Sequence, residues 1–469
     1  MLTQLLARLA KSPHSWWIDD ASQKLSPSAF VSQVNQRADG LRKNGDVTGQ
    51  RRLIVASETA EFFLEMCATW VAGGICCPVE PGLSAAAIGE IQTLLAKDNP
   101  ALDLDQRLES TVLLTSGSTG ARKGVRLTSQ ALLENAQASV KRLGMTPDDH
   151  LMINIPFHFT SAICHFLACL VSGARFTAIG RPLLAKDLVS RVRQVSPTGF
   201  GGAPLQARWL AEGLLGESSL GWLMTSGDDL PASSRDIITR DLPQVRLHVF
   251  YGLTEVAGRF TSLHPDDRPQ LPGSVGRAID GLSVEVLDDA GNAVASGEFG
   301  EVHASGRTLM IDYVGQHESI TVHGRFPTGD IGWLDSSGYL YLAGRSDDVF
   351  KVSGTKVSGL AVRETLLRTG LLADAFVIPV RQRNGLVVSG ALIVPNAGSF
   401  FDLPSLRAAA RANFDSHALP REYIIVNAVP RTGSGKPDRR AIDQLLVSRG
   451  WQREHGIGVY APIGEGRSE

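Results

Sequence analysis

Residues 111–124 read Thr111-Val-Leu-Leu-Thr-Ser-Gly-Ser-Thr-Gly-Ala-Arg-Lys-Gly124. The first four are β-branched or apolar and predict a short strand. Gly117, Gly120 and Gly124 then let the backbone turn sharply and approach a ligand closely. Around them the hydroxyls of Thr115, Ser116, Ser118 and Thr119 and the ammonium of Lys123 supply donors suited to an anion. A plain Gly/Ser turn would carry the same glycines, but the density of hydroxyls next to a lysine favours phosphate, and a triphosphate above all. The loop is not of the Walker A type: after Lys123 comes Gly-Val-Arg-Leu-Thr, which reads as extended, so no helix opens directly on the phosphates. The helix is predicted after Ser129 as N-cap, with Leu132, Leu133, Ala136, Val140 and Leu143 on one face and Gly144 to stop it.

Outward from this loop, short β-branched runs (112–114, 151–155, 175–179, 245–249) alternate with longer amphipathic segments, the pattern of an α/β domain with largely parallel strands. Between about residues 272 and 342 the texture changes to short strands punctuated by Gly and Asp (283–287, 300–304, 339–343), which predicts a β-rich subdomain. Charges then cluster in Arg345-Ser-Asp-Asp348, read as a linker. A separate compact α/β unit is expected beyond it, ending near Arg449 and followed by a Gly-rich polar tail. The expected organisation is a large N-terminal domain, 1–344, of α/β subdomains plus a β-rich subdomain; a hinge, 345–348; and a small mobile C-terminal α/β domain, 349–469.

At 469 residues the chain is about three times the usual single-domain size, which suits this division. Its 46 Lys+Arg against 48 Asp+Glu nearly balance, and no long run of one sign offers a footprint for nucleic acid or a membrane surface. A small-molecule partner fits better. The five cysteines (Cys67, Cys76, Cys77, Cys164, Cys169) sit in apolar stretches without metal-knuckle or disulfide-frame spacing, which suits a reducing cytoplasm. Residues 1–11 are apolar but short and carry Arg8 and Lys11, so no signal peptide is read; the best apolar run, 162–171, is too short to span a membrane and contains His165.

Four further motifs accompany the loop in order. They are Tyr251-Gly-Leu-Thr-Glu255, Thr328-Gly-Asp330, Gly344-Arg-Ser-Asp-Asp-Val-Phe-Lys351 and Pro430-Arg-Thr-Gly-Ser-Gly-Lys-Pro-Asp-Arg439. Together the five resemble the adenylate-forming superfamily of acyl- and aryl-CoA synthetases, adenylation domains and beetle luciferases. The resemblance covers nearly the whole chain, since 25–41 and 62–81 look like the family's opening helix and its Ala/Gly-rich helix ending at Pro-x-x-Pro. The compact stretch before Thr115 is most similar to o-succinylbenzoate-type CoA ligases.

The resemblance implies a nucleotide site in which Thr115, Ser116, Ser118, Thr119 and Lys123 meet the phosphates and Tyr251 and Gly252 flank adenine. It further implies Thr254 at the α-phosphate, Glu255 on Mg²⁺, and Asp330 with Arg345 on the ribose. Lys436 resembles the family's catalytic lysine, a cation that stabilises charge at the α-phosphate while a carboxylate attacks. Read alone, Lys436 would be a surface lysine in a Gly-Ser-Gly loop, Asp330 a turn residue and Glu255 a helix-capping residue; the full set of motifs favours the functional roles. Asp347 resembles the hinge on which the C-terminal domain rotates, with Gly354 and Lys356 on the thiol path.

An acyl pocket is implied from Pro156-Phe-His-Phe-Thr-Ser161, Gly201-Gly-Ala-Pro204 and Thr225-Ser-Gly-Asp228, giving Phe157, His158, Thr160, Gly201, Gly202, Ser226 and Gly227 as lining residues. His158 stands where amino-acid-activating domains carry an Asp, which disfavours an amino-acid substrate; a core histidine is the other reading. The aromatic side chains suit an aryl or other apolar acid. Departures from the family pattern are Arg122 in the phosphate loop and Gly359, Ala361 and Arg363 after the hinge. The expected activity is ATP- and Mg²⁺-dependent acyl-adenylate formation with pyrophosphate release, followed by thioester formation on CoA or on a carrier-protein phosphopantetheine. A non-catalytic nucleotide-binding relative and a light-emitting one are the alternatives.

Overall fold

The computed structural model describes residues 2–20, 22–45, 47–97, 109–116, 122–267, 273–316, 321, 324–345, 349–352, 355–382, 386–396, 401–411, 418–431, 437–453 and 459–462. Its core is a mixed α/β assembly. Strands Arg175–Ala178, His150–Ile153, Gly199–Gly202, Trp222–Thr225 and Arg246–Leu253 lie side by side and parallel, with a helix between each and the next along the chain. That arrangement follows from sequence: four-residue apolar strands are buried on both faces and need helices on either side. The same sheet continues antiparallel through Gly258–Leu263, Ser274–Ala278, Leu340–Arg345, Phe326–Leu334, Gly300–Gly306 and Leu282–Leu287, which is the β-rich stretch expected from residue 272 on.

A second sheet sets the phosphate loop. Arg51–Val55, Ile75–Val79 and Glu109–Ser116 run parallel, and Arg122–Thr128 returns antiparallel to the last of them. The extended reading of residues 124–128 therefore holds. The helix after it spans Ser129–Leu143 and is closed by Gly144 at φ 65°, as expected, but its N-cap is Thr128, whose hydroxyl accepts from Ala131 N at 2.9 Å. The cap lies one residue earlier than predicted because Thr128 still has strand geometry (ψ 153°) when Ser129 turns helical.

An aromatic cluster fills the interface between helices and parallel strands. Phe63 stacks on Phe166 with ring centroids 4.5 Å apart, and Trp17, Phe30 and Phe176 meet the same rings edge-on or tilted. Each such ring taken out of water contributes on the order of 2–3 kcal/mol. The apolar N-terminus joins this core: helix Leu2–Leu9 buries Leu6 and Leu9. The run at 162–171 lies in helix Thr160–Ser172, buried along most of its length. Among the described residues no helix is long and apolar enough to cross a membrane, and the five cysteines are all free and buried.

Beyond residue 348 a hairpin, Val349–Val352 with Thr355–Ser358, leads to helix Gly359–Arg368 and to a separate sheet ordered Glu422–Ile425, Val387–Pro395, Leu372–Arg381, Tyr460–Pro462, Trp451–Arg453. Helices Leu403–Arg411 and Arg439–Ser448 bury Leu406, Ile442 and Leu446 in its two core clusters. The compact unit therefore does not stop at Arg449. Trp451–Arg453 and Tyr460–Pro462 pair with each other, and Tyr460 bonds Asp443 through its hydroxyl while lying beside Val380. Two apolar side chains, Val459 and Tyr460, follow the Gly-rich stretch and draw the chain back onto the sheet edge.

Candidate active site

The flanks of the 117–121 loop pair antiparallel, Thr115 facing Lys123 and Ser116 facing Arg122. Ser118 and Thr119 lie outside the described residues, as does the side chain of Ser116. Lys123 Nζ lies 4.8 Å from the centroid of the Tyr313 ring, a cation–π contact that orients an ammonium without neutralising it. Arg122 is exposed. The base of the hairpin is anchored by buried charges. Glu109 accepts from Arg51 Nε at 2.8 Å and from Arg126 Nε at 2.7 Å, and Arg126 Nη1 reaches both oxygens of Asp312 at 2.7 and 2.8 Å. Residues 311–314 therefore track residues 124–126, through Arg126 N to Asp312 O and Val314 N to Gly124 O, and carry Tyr313 to the loop.

Tyr313 was not singled out by the sequence, and it joins two residues that were. Its hydroxyl donates to Glu255 Oε1 at 2.7 Å while its ring faces Lys123. Burial, with the Glu255 carboxylate adding to it, holds the phenol well above its ordinary range, so it remains a donor. Glu255 sits in a single 3₁₀ turn, Thr254–Val256, at the end of the strand carrying Tyr251. The second oxygen of Glu255 carries no hydrogen bond among the described residues. One carboxylate oxygen suits a Mg²⁺ ion held mostly by phosphate oxygens and water; among the described residues no cluster of three acidic, His or Cys side chains offers a fuller cage. Thr254 Oγ1 lies 2.9 Å from Thr160 Oγ1.

The corner around Asp330 is equally compact. Tyr251 donates its hydroxyl to Asp330, and Arg345 Nη1 donates to Asp330 Oδ1 at 3.2 Å and to Thr328 O at 3.0 Å. Strand register brings this about, since Asp330 and Arg345 are directly paired residues of neighbouring antiparallel strands. Asp330 is only 7% exposed. Burial opposes the Arg345 charge, but Asp330 outweighs it and holds the guanidinium above its usual range. Arg345, read as the first linker residue, is thus the last residue of strand Leu340–Arg345; Asp347 lies outside the described residues.

The acyl segments converge on helix Thr160–Ser172. Phe157 does not line a pocket: it is 1% exposed and packs on Phe62 and Phe63 in the aromatic core. Its neighbour points the other way along the chain, so His158 keeps partial exposure beside Phe159, and burial lowers its basicity while Glu80 opposes that. Gly201, next to last in strand Gly199–Gly202, lies against His165, and a Cβ there would stand 2.1 Å from His165 Nε2. Gly202 is crowded by Phe200 and Gln206, whereas Gly227 faces open space. Ser226 accepts from Arg259 Nη1 at 2.8 Å. Arg259, four residues past Glu255, also went unremarked; the signal was a lone charge in the strand Gly258–Leu263, whose every residue is buried.

The C-terminal unit reaches the same region. Arg431 Nη1 donates to Asp228 at 3.0 Å and Arg363 Nη1 to Asp229 at 3.4 Å, while both arginines share Asp374, at 2.6 and 3.0 Å. The unexpected Arg363 thus has carboxylate partners on both sides of this contact. Helix Gly359–Arg368 starts at Gly359 with Ser358 as its N-cap, accepting from Ala361 N. Lys436 and Gly354 lie outside the described residues, as does the side chain of Lys356.

Residues 95–314 match the AMP-binding enzyme family. Similar sequences include an indoleacetate–CoA ligase of Aromatoleum aromaticum, 27% identical over 76% of this chain and 72% of that protein. A D-alanine–D-alanyl carrier protein ligase of Bacillus anthracis is 26% identical over 71% and 70%. Among solved structures, an anthranilate CoA ligase in complex with anthranoyl-AMP superposes with TM-score 0.84 at 20% identity, covering 95% of this chain and 96% of that one. An o-succinylbenzoate coenzyme A synthetase from Bacillus subtilis in complex with ATP and magnesium gives 0.80 at 20% identity, over 92% and 97%. The chain therefore shares the fold of these ligases, and its residues 95–314 are similar to the AMP-binding enzyme family.

Proposed function

We propose that the chain joins a carboxylic acid to a thiol in two steps: ATP and the acid give an acyl adenylate and pyrophosphate, and the acyl group then passes to coenzyme A. One observation carries the reading. Three separately encoded groups, Lys123–Tyr313–Glu255, Thr160–Thr254 and Tyr251–Asp330–Arg345, are linked around the turn 251–255 by the contacts given above. A lysine beside a carboxylate, a pair of hydroxyls and a Tyr–Asp–Arg cluster thus gather at one strand end, the set of functions a nucleoside triphosphate requires.

In this reading Asp330 and Arg345 orient the ribose, and the wall formed by Tyr251 and Gly252 receives the adenine. Lys123, with the loop hydroxyls, bears the charge of the departing pyrophosphate, and Thr254 meets the α-phosphate. Mg²⁺, held at Glu255, would neutralise phosphate oxygens as the leaving group forms. Lys436 supplies a second cation at the α-phosphate, where charge gathers while the acid's carboxylate oxygen attacks and the bond to pyrophosphate breaks. The C-terminal unit, 349–469, turns on residues 345–348 to exchange this lysine for the thiol path past Gly354 and Lys356.

The carrier-protein relative supports a second acceptor, a phosphopantetheine arm, for the same adenylate. A cytoplasmic site of action accords with the free, buried cysteines.

The test is pyrophosphate release over a panel of aryl, fatty and dicarboxylic acids, with and without CoA. Release with one acid, and a thioester only with CoA, is the expected result; an adenylate that CoA cannot discharge points to the carrier protein, and nucleotide binding without release overturns the catalytic reading. Lys436→Ala is expected to slow adenylate formation by about 10²–10³ while transfer from supplied acyl adenylate is largely kept. Equal loss in both half-reactions would refute the lysine's assignment.

A further inference from the structure

Arg259 is a buried cation without an anion. It is 3% exposed, and it forms no ion pair among the described residues. Its partners are neutral: Nη1 donates to Ser226 Oγ at 2.8 Å, Nη2 lies 3.4 Å from Ser161 Oγ, and Nη2 stands 3.2 and 3.4 Å from the two ring nitrogens of His165. His165 offsets none of the charge, because burial and the adjacent guanidinium hold its basicity well below the usual imidazole range. Phe250 covers the guanidinium from one side, 5.5 Å from ring centroid to Cζ. Buried arginines are normally paired with a carboxylate, since desolvating a lone charge is costly.

Its position says what completes it. Ser161, Ser226 and, through His165, Gly201 belong to the three segments expected to form the acyl pocket, and Arg259 is where they meet. Gly258 permits this approach: at φ 121° a side chain there would be strained, and its Cβ would stand 2.2 Å from Cys164 Sγ. Thr160, whose hydroxyl meets that of Thr254 at the proposed adenylate end, opens the helix on which His165 lies five residues further along. At about 1.5 Å of rise per residue the step from Thr160 to His165 spans about 7.5 Å, a length that the two carboxylates of a short diacid can bridge.

We propose that Arg259 is a specificity-determining residue for an acid bearing a second carboxylate, which pairs with this guanidinium while the first carboxylate attacks ATP. The proposal rests on the adenylation reading above and replaces the apolar-acid expectation with a dicarboxylate one. Ser226 and Ser161 hold the guanidinium in place, and the neutral His165 closes the pocket floor over Gly201.

The test is pyrophosphate release with matched pairs of acids: succinate, glutarate, adipate and the benzene dicarboxylates, each against its monomethyl ester. The native chain should favour the best diacid over its ester by at least about 10-fold in kcat/KM, the discrimination that one bidentate charge contact typically gives. Arg259→Met should abolish or invert that preference mainly through KM, and Arg259→Lys should retain part of it. Ser226→Ala, which leaves the buried charge in place, should narrow the preference in the same direction should the arginine variants not fold. Release with esters or monoacids at equal or higher efficiency overturns this inference and leaves adenylation standing. No release with any acid overturns both.

Discussion

At the residue scale, the site depends on charges held where water cannot reach them. Glu109 has a fully buried carboxylate between Arg51 and Arg126, and Arg126 passes the connection to Asp312. That chain fixes the distance between the phosphate hairpin and the segment bearing Tyr313. Removing Glu109 takes from two buried arginines the carboxylate that they share, a loss of about 3–5 kcal/mol where a buried pair is broken. Glu109→Gln, close in shape but uncharged, should therefore lower the unfolding free energy of the N-terminal transition, measured in urea, by that order. A loss under about 1 kcal/mol would mean that desolvation already cancels the attraction. The sequence singles out Lys123, Glu255, Asp330 and Arg345 through the family that their motifs resemble, and the fold brings Lys123 and Glu255 onto Tyr313 and pairs Asp330 with Arg345. The sequence does not single out Tyr313 and Arg259, because neither belongs to a motif and each acquires its meaning from residues 58 and 33 positions away.

At the element scale, the parallel strands bury polar side chains that the alternation of apolar and polar residues does not foretell. His150, on strand His150–Ile153, donates or accepts through Nε2 with Thr177 Oγ1 at 2.8 Å; His248, on strand Arg246–Leu253, has both ring nitrogens buried and unpaired. Burial, with Arg175 and Lys24 for His150 and with His264, Arg246 and Arg142 for His248, pushes each imidazole down to about 3. These groups are neutral when folded, whereas the unfolded chain takes up the proton near the ordinary value, about 6.5. Their contribution to stability is complete above pH 6.5 and is lost as pH falls toward 3, by up to about 1.4 kcal/mol per pH unit per group. His248→Leu removes one such group, so the melting temperature of the variant should fall less steeply than that of the native chain between pH 7 and 5. Parallel slopes would show that His248 takes up its proton in the folded state.

At the scale of the whole molecule, the C-terminal unit is docked by a charged seam: Asp228 and Asp229 on one side, Arg363, Asp374 and Arg431 on the other. Burial and the nearby Glu364 push the Asp229 carboxyl up to about 7, while Asp374, despite its burial, is held below the usual carboxylate range by Arg363 and Arg431. The seam begins two residues from Ser226 and ends five residues before Lys436, so it couples the acyl segment to the loop of the proposed catalytic lysine. An Asp228→Asn, Asp229→Asn double variant should dock less firmly. The expected readouts are several-fold faster tryptic cleavage around the proposed hinge at 345–348 and a changed ratio of adenylation to thioester formation. Unchanged cleavage and an unchanged ratio would make the seam incidental to domain movement.

The sequence by itself determined the local and repetitive features of this protein: the strands at 109–116 and 122–128, the helix stopped at Gly144, the α/β alternation and the β-rich stretch from residue 272. These depend on backbone conformation and on spacing along the chain, which short-range sterics and apolar periodicity express directly. Only the tertiary structure decided that Phe157 belongs to the core, that Val459 and Tyr460 return to a sheet edge, that Arg363 has carboxylate partners, and that Arg259 has none among the described residues. The physical reason is that burial and charge pairing are set by contacts between segments far apart in sequence. A residue's type gives its charge, and only the fold determines which charges lie close enough to neutralise it.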